Sequence, residues 1–179
     1  MTREQVFTPT LNALNQAHIG GKTLVAQITG AQIGVQAAAY ASGDVLGTLN
    51  PIEVEVFTFN NGTGILQSCI VGDLAKQDGI IDILIFNDNP TATTFTDNSA
   101  LTVNAADVPK IIDVISIVAA DYKDFATNSV AVKSAIGVPI KNVSLTIGKL
   151  NKIWVAFVSR DTKTYTANCI SANLGILQD

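Results

Sequence analysis

Apolar and polar side chains alternate along much of this chain, and a period of two marks strands with one buried face. Ile52–Phe59 sets Val54 and Val56 against Glu53 and Glu55. Ile80–Phe86 puts Ile81, Ile83 and Ile85 on one side of a pleat, and Val143–Ile147 alternates throughout. Ile153–Val158 is apolar on both faces, which predicts a central strand. In the last segment Ile170, Ala172, Leu174 and Ile176 share a face, with Cys169, Ser171 and Asn173 opposite. Turn residues separate these segments: Asn60-Asn61-Gly62, Asp78-Gly79, Asn87–Pro90, Asn151 and Arg160–Lys163.

The pattern changes in two places. Asn104–Asp113 offers a capping residue, two alanines, Pro109 in the first turn and then Ile111-Ile112, which predicts one short helix. Residues 1–40 are rich in Ala, Gln and Gly, with Gly20-Gly21, Gly30 and Gly34 interrupting any helix. They read as an extended N-terminal arm that orders against something else. An ordinary first strand pair of the core is the other reading, with Thr23–Ile28 as a strand. Residues 41–179 then form the folded unit, an all-β antiparallel sandwich with one short helix. The tetrapeptide Gly-Ile-Leu-Gln occurs at Gly64–Gln67 and again at Gly175–Gln178. The second copy predicts a C-terminus that is strand-paired almost to Asp179.

Composition narrows the function. Of 179 residues 47% are apolar, enough for a core without disulfides or metal. Only 15% are charged, well below the roughly 25% of an average soluble chain. The polar surface is therefore largely neutral, built from Thr, Asn and Ser. A formal net charge of −4, with no basic cluster beyond Lys149 and Lys152, argues against nucleic acid as a partner. No apolar run reaches the roughly 18 residues of a membrane-spanning helix, and Met1–Thr10 has no apolar signal core. Synthesis in a cytoplasm is the expectation.

Candidate chemistry is sparse. The one histidine, His18, stands beside Gly20-Gly21, a poor platform for a catalytic triad. Cys69 and Cys169 lie in apolar-alternating stretches and read as two buried thiols, with a bridge left open by the sequence. One histidine and two distant cysteines are too few ligands for a transition metal. Gly20-Gly21-Lys22-Thr23 imitates the end of a phosphate loop, but the earlier glycine of that pattern is replaced by Gln16. Gly62-Thr63-Gly64 begins a dinucleotide fingerprint whose third glycine is replaced by Gln67. Glu53 and Glu55 share a strand face, whereas glycosidase carboxylates face each other across an aromatic-lined cleft. Aromatics total 6%, with Trp154 the only tryptophan. Asn87-Asp88-Asn89-Pro90 and Thr96-Asp97-Asn98 lack the spacing of a calcium loop and fit turn chemistry. Asn61-Gly62-Thr63 and Asn142-Val143-Ser144 are formal glycosylation sequons that carry no meaning without export. No catalytic, cofactor-binding or metal-binding residue is assigned, and the chain reads as a non-enzyme.

From Tyr40 to Asp179 the sequence resembles the decoration, cement or minor head proteins of tailed bacteriophages. The resemblance rests on Ser42-Gly43-Asp44-Val45-Leu46-Gly47, Gly64-Ile65-Leu66-Gln67-Ser68, Asn89-Pro90-Thr91, Thr94-Phe95-Thr96-Asp97-Asn98, Ala106-Asp107-Val108-Pro109-Lys110-Ile111 and Leu174-Gly175-Ile176-Leu177-Gln178-Asp179. It covers about three quarters of the chain, through the order and spacing of these segments, and the first forty residues match less well. It implies a jelly-roll-like sandwich on the outside of the head, partnered by the major capsid protein and by its own copies as a homotrimer. Capsid contact residues are not implied. The competing expectation is a receptor- or carbohydrate-binding sandwich on a tail or fibre, which would want exposed aromatics.

Overall fold

A computed structural model describes residues 22–57, 62–141 and 151–178, and the regular structure there is mostly β. In chain order it forms β1 (Lys22–Ile28), the single helical turn α1 (Gly30–Ile33), β2 (Ala39–Tyr40), β3 (Ile52–Glu55), β4 (Thr63–Asp73) and β5 (Ile81–Phe86). There follow β6 (Ile111–Ile117), β7 (Tyr122–Phe125), β8 (Asn128–Lys141), β9 (Lys152–Ser159), β10 (Lys163–Thr164) and β11 (Ile170–Gln178).

Strands β1-β11-β4-β8-β7 make a five-stranded sheet, β3-β9-β5-β6 a four-stranded one, and β2 pairs with β10. Every ladder is antiparallel. With the short β2, β7 and β10 set aside, the pairing is nested: β1 with β11, β3 with β9, β4 with β8, and β5 with β6. Successive pairs fall in alternate sheets. This is the wrapping of a jelly roll, an antiparallel sandwich in which the first and last of the described strands are neighbours. The strand β7 extends the first sheet by one hairpin with β8.

The core lies between the sheets. Ala26, Ile28, Leu66, Cys69, Val71, Ala172, Leu174 and Ile176 face Ile52, Val54, Ile81, Ile83, Ile85, Ile153, Val155 and Phe157, all buried. The expected alternations at Ile81–Ile85 and Ile170–Ile176 are therefore those of the structure, and β9 is an interior strand buried on both faces. The repeated Gly-Ile-Leu-Gln segments are neighbours in space. Gly64, Ile65 and Leu66 pair antiparallel with Gln178, Leu177 and Ile176, and Gln67 sits at the register break on both sides of β4. The C-terminal strand is paired through Gln178, as the repeat predicts.

Three expectations need correction. Residues 22–40, assigned to an extended arm, belong to the sandwich. All seven residues of β1 pair with β11, and Ile28, Ile33, Val35 and Tyr40 are fully buried; residues 1–21 lie outside the described residues. The helix expected at Asn104–Asp113 is only a 3-10 turn at Val108–Lys110, after which Ile111 begins β6. The β-branched run that follows Lys110 pairs along β5, and sheet packing overrides the local start signal. The α-helical turn stands at Gly30–Ile33 instead. Thr29 and Gln32 form a reciprocal capping box there, and Gly34 closes the turn at φ 74°. Finally, β3 ends at Glu55, short of Phe59. The strand expected at Val143–Ile147 falls outside the described residues.

Candidate binding surface

The residues singled out for chemistry do not converge. His18 lies outside the described residues. Lys22 and Thr23 open a strand, where a phosphate loop would need a helix N-terminus, and Thr63 and Gly64 open β4. Glu53 and Glu55 share a face of β3, as expected, but Glu53 is ion-paired to Lys152 and Glu55 accepts a hydrogen bond from Asn151. They border a polar cleft of about 300 Å³ with Gln27, Gln32 and Lys152. Among the described residues no three His, Cys, Asp or Glu side chains gather as a metal-binding group.

Both cysteines are free and buried, Cys69 inside β4 and Cys169 one residue ahead of β11. Burial pushes the Cys69 thiol up to about 12 and raises that of Cys169, so neither is a thiolate nucleophile at neutral pH. Trp154 is 2% exposed and packs under a loop, where it cannot stack on a sugar. Among the described residues the exposed aromatic ring is Phe125, 58% open on β7.

The acidic loop residues serve as clamps. Asp97 Oδ1 accepts hydrogen bonds from the Tyr40 hydroxyl at 2.9 Å and the Gly47 N–H at 2.8 Å. Asp107, wholly buried, accepts from the Ala92 N–H at 2.9 Å and the Thr93 hydroxyl at 2.7 Å, and its other oxygen lies 2.8 Å from Lys110 Nζ. Burial raises the pKa of its carboxyl, but the Lys110 and Thr93 contacts outweigh that and hold it below the usual carboxylate value. These clamps fasten the segment 87–107 over the outer face of the four-stranded sheet. There Phe95, Leu101, Val103 and Ile111 cover Leu84, Phe86, Trp154, Ala156 and Val158.

The outer face of the five-stranded sheet has no such cover among the described residues. Register and alternation place its outward residues in rows across four strands. One row runs Thr23, Leu177, Ile65, Pro139; the next Val25, Gly175, Ser68, Ser134; the third Gln27, Asn173, Ile70, Val132. A fourth holds Ser171, Gly72 and Val130, and ends at Lys123 on β7. No charge interrupts this face between Lys141 at one end and Lys123 at the other. A Cβ on Gly175 would come within 2.3 Å of Ser68 Oγ, so a side chain there requires the Ser68 hydroxyl to turn away. At about 4.8 Å between strands and about 6.8 Å between rows, the patch spans on the order of 500 Å².

Sequence reasoning did not find this surface. Its only trace along the chain is the absence of charge from Thr23–Ile28, Gly64–Gly72 and Ile170–Gln178, three segments that become neighbours only after folding. Comparison with protein-family models and with curated proteins returned no match.

Proposed function

We propose that this protein is a structural virion component that binds the outside of a tailed-phage head and stabilises it, with the major capsid protein as its partner. The observation that carries the reading is the uncharged outer face of a jelly roll whose opposite face is sealed by its own loop. The sequence resemblance from Tyr40 to Asp179 supplies the phage context. A neutral face of about 500 Å² is smaller than the roughly 800 Å² per partner of a stable protein complex, so one contact is weak. Repeated by capsid symmetry, weak contacts multiply through avidity. A protein that binds the assembled shell and not its free subunits stabilises the shell by mass action. Catalysis has no part in this role, and uncharged contacts should tolerate moderate salt far better than a phosphate-dominated complex.

The test is to add purified protein to expanded heads that lack it. Saturable coating is expected. Uncoated heads should assemble normally but release DNA at lower temperature or under milder osmotic shock. Failure to coat, with equal robustness of bare and complete particles, would overturn the reading. A receptor- or carbohydrate-binding role would then replace it, with Phe125 as the ring to test on a glycan array.

A further inference from the structure

The sheet edges of this sandwich are not alike. An open edge presents unpaired N–H and C=O groups, and natural proteins guard such edges with short strands, charges, prolines or bulges. Strand β7 is four residues long and carries Lys123 and Asp124; β3 is four residues long and carries Glu53 and Glu55. Strand β6 carries Asp113 and shifts register against β5. Strand β1 has none of these devices. Its seven residues, Lys-Thr-Leu-Val-Ala-Gln-Ile, run against β11 without a register break and hold a single charge, at the first position. Among the described residues, no backbone partner lies on its other side.

We propose that β1 is a self-pairing edge, joining two copies of the chain antiparallel about a twofold axis at Val25 to make one continuous ten-stranded sheet. The strand is self-complementary in that register. Val25 meets Val25 of the second copy, Leu24 meets Ala26, Thr23 meets Gln27, and Lys22 meets Ile28, so no like charges are opposed. Outward residues stay opposite outward residues, which antiparallel pairing requires if both buried faces are to remain inside. This register alone pairs all seven positions. It also sets Val25, an apolar side chain 63% exposed in the single chain, against its own copy. The two uncharged outer faces become one.

This twofold pair takes the place of the homotrimer expected from the sequence, and it stands whether or not the capsid reading holds. A strand edge of about 24 Å buries far less than the 1,200–2,000 Å² of a standard interface, so the dimer is weak in solution. Sedimentation of the full chain from about 10 µM to about 1 mM should show a monomer–dimer equilibrium in the high-micromolar range. Val25→Lys and Val25→Glu should each be monomeric throughout, and an equimolar mixture of the two should associate again. Phe125→Lys, on the guarded edge, should associate as the parent does, and unchanged circular dichroism and thermal midpoints verify folding. As a second measurement, oxidised Val25→Cys should cross-link to itself, because directly opposed Cβ atoms lie about 4.5–5.5 Å apart. A monomer at all concentrations, a trimer, charge variants that associate like the parent, or a Val25→Cys protein that does not cross-link would overturn the proposal.

Discussion

The two outer faces of this sandwich solve the same problem in opposite ways. On the four-stranded sheet, β5 and β9 turn Leu84, Phe86, Trp154, Ala156 and Val158 outward, and the segment 87–107 returns to bury them. On the five-stranded sheet the outward positions hold Ser, Thr, Asn, Gln and Gly interspersed with Leu, Ile and Val, and no described segment covers them. One face is a second small core and contributes stability. The other contributes little, and is free to be a contact surface. An antiparallel sheet has this choice because each face is set by alternate residues. A segment of 21 residues without regular structure is unusual in a compact domain. Here it is held by side chains at its middle and at its end, Asp97 to Tyr40 and Gly47, Asp107 to Thr93 and Lys110.

This contrast can be broken by substitution. Trp154→Ala on the covered face should cost about 3–5 kcal/mol, because it leaves a large cavity that the pinned segment cannot collapse into. In thermal unfolding that corresponds to a drop of roughly 6–20 °C for a chain of this size. Equal stability of this variant and the parent would mean that the segment is not a second core.

Asp107→Ala should cost less, about 1–3 kcal/mol, by leaving the Ala92 N–H and the Thr93 hydroxyl buried without an acceptor. Limited proteolysis should then cut first between residues 87 and 107, whereas the parent resists there.

The same carboxylate gives a smaller, pH-dependent effect. Its folded pKa is depressed, so its contribution is complete above the unfolded value of about 4 and is lost as pH falls through the folded value. Asp121, held low by Lys133 and the Val118 N–H against the upward effect of burial, acts in the same direction. Urea midpoints of the parent should fall from pH 5 to pH 2, and those of Asp107→Asn should fall less. Identical slopes would contradict the assignment.

The smallest effect on stability is expected on the open face. Val132→Lys, at a position 52% exposed, should change stability by no more than about 0.5 kcal/mol. If the open face docks on the head, the same change should strongly reduce coating. Unaltered coating would move the contact elsewhere.

Much of the fold was legible one strand at a time. Ile81-Ile83-Ile85 and Ile170-Ala172-Leu174-Ile176 announce buried faces, because a pleat sends alternate side chains to opposite sides. The double-faced run at Ile153–Val158 announced an interior strand for the same reason. The failures came where local signals competed with pairing. Asn104 and Pro109 look like a helix start, yet β6 gains a full ladder along β5. The glycines at positions 30 and 34 suggested a loose arm, yet Gly34 is a helix cap and the flanking Ile33 and Val35 are buried.

What the sequence determined by itself is the all-β character, the burial of the two thiols and the neutrality of the surface, since each follows from residue type and period along a single segment. The tertiary structure alone decided which segments became neighbours. In a nested wrapping β1 meets β11 across almost the whole chain, so three uncharged segments that look unrelated in sequence merge into one face. Their juxtaposition depends on contacts between distant residues, and no local periodicity encodes which distant strand a given strand will meet.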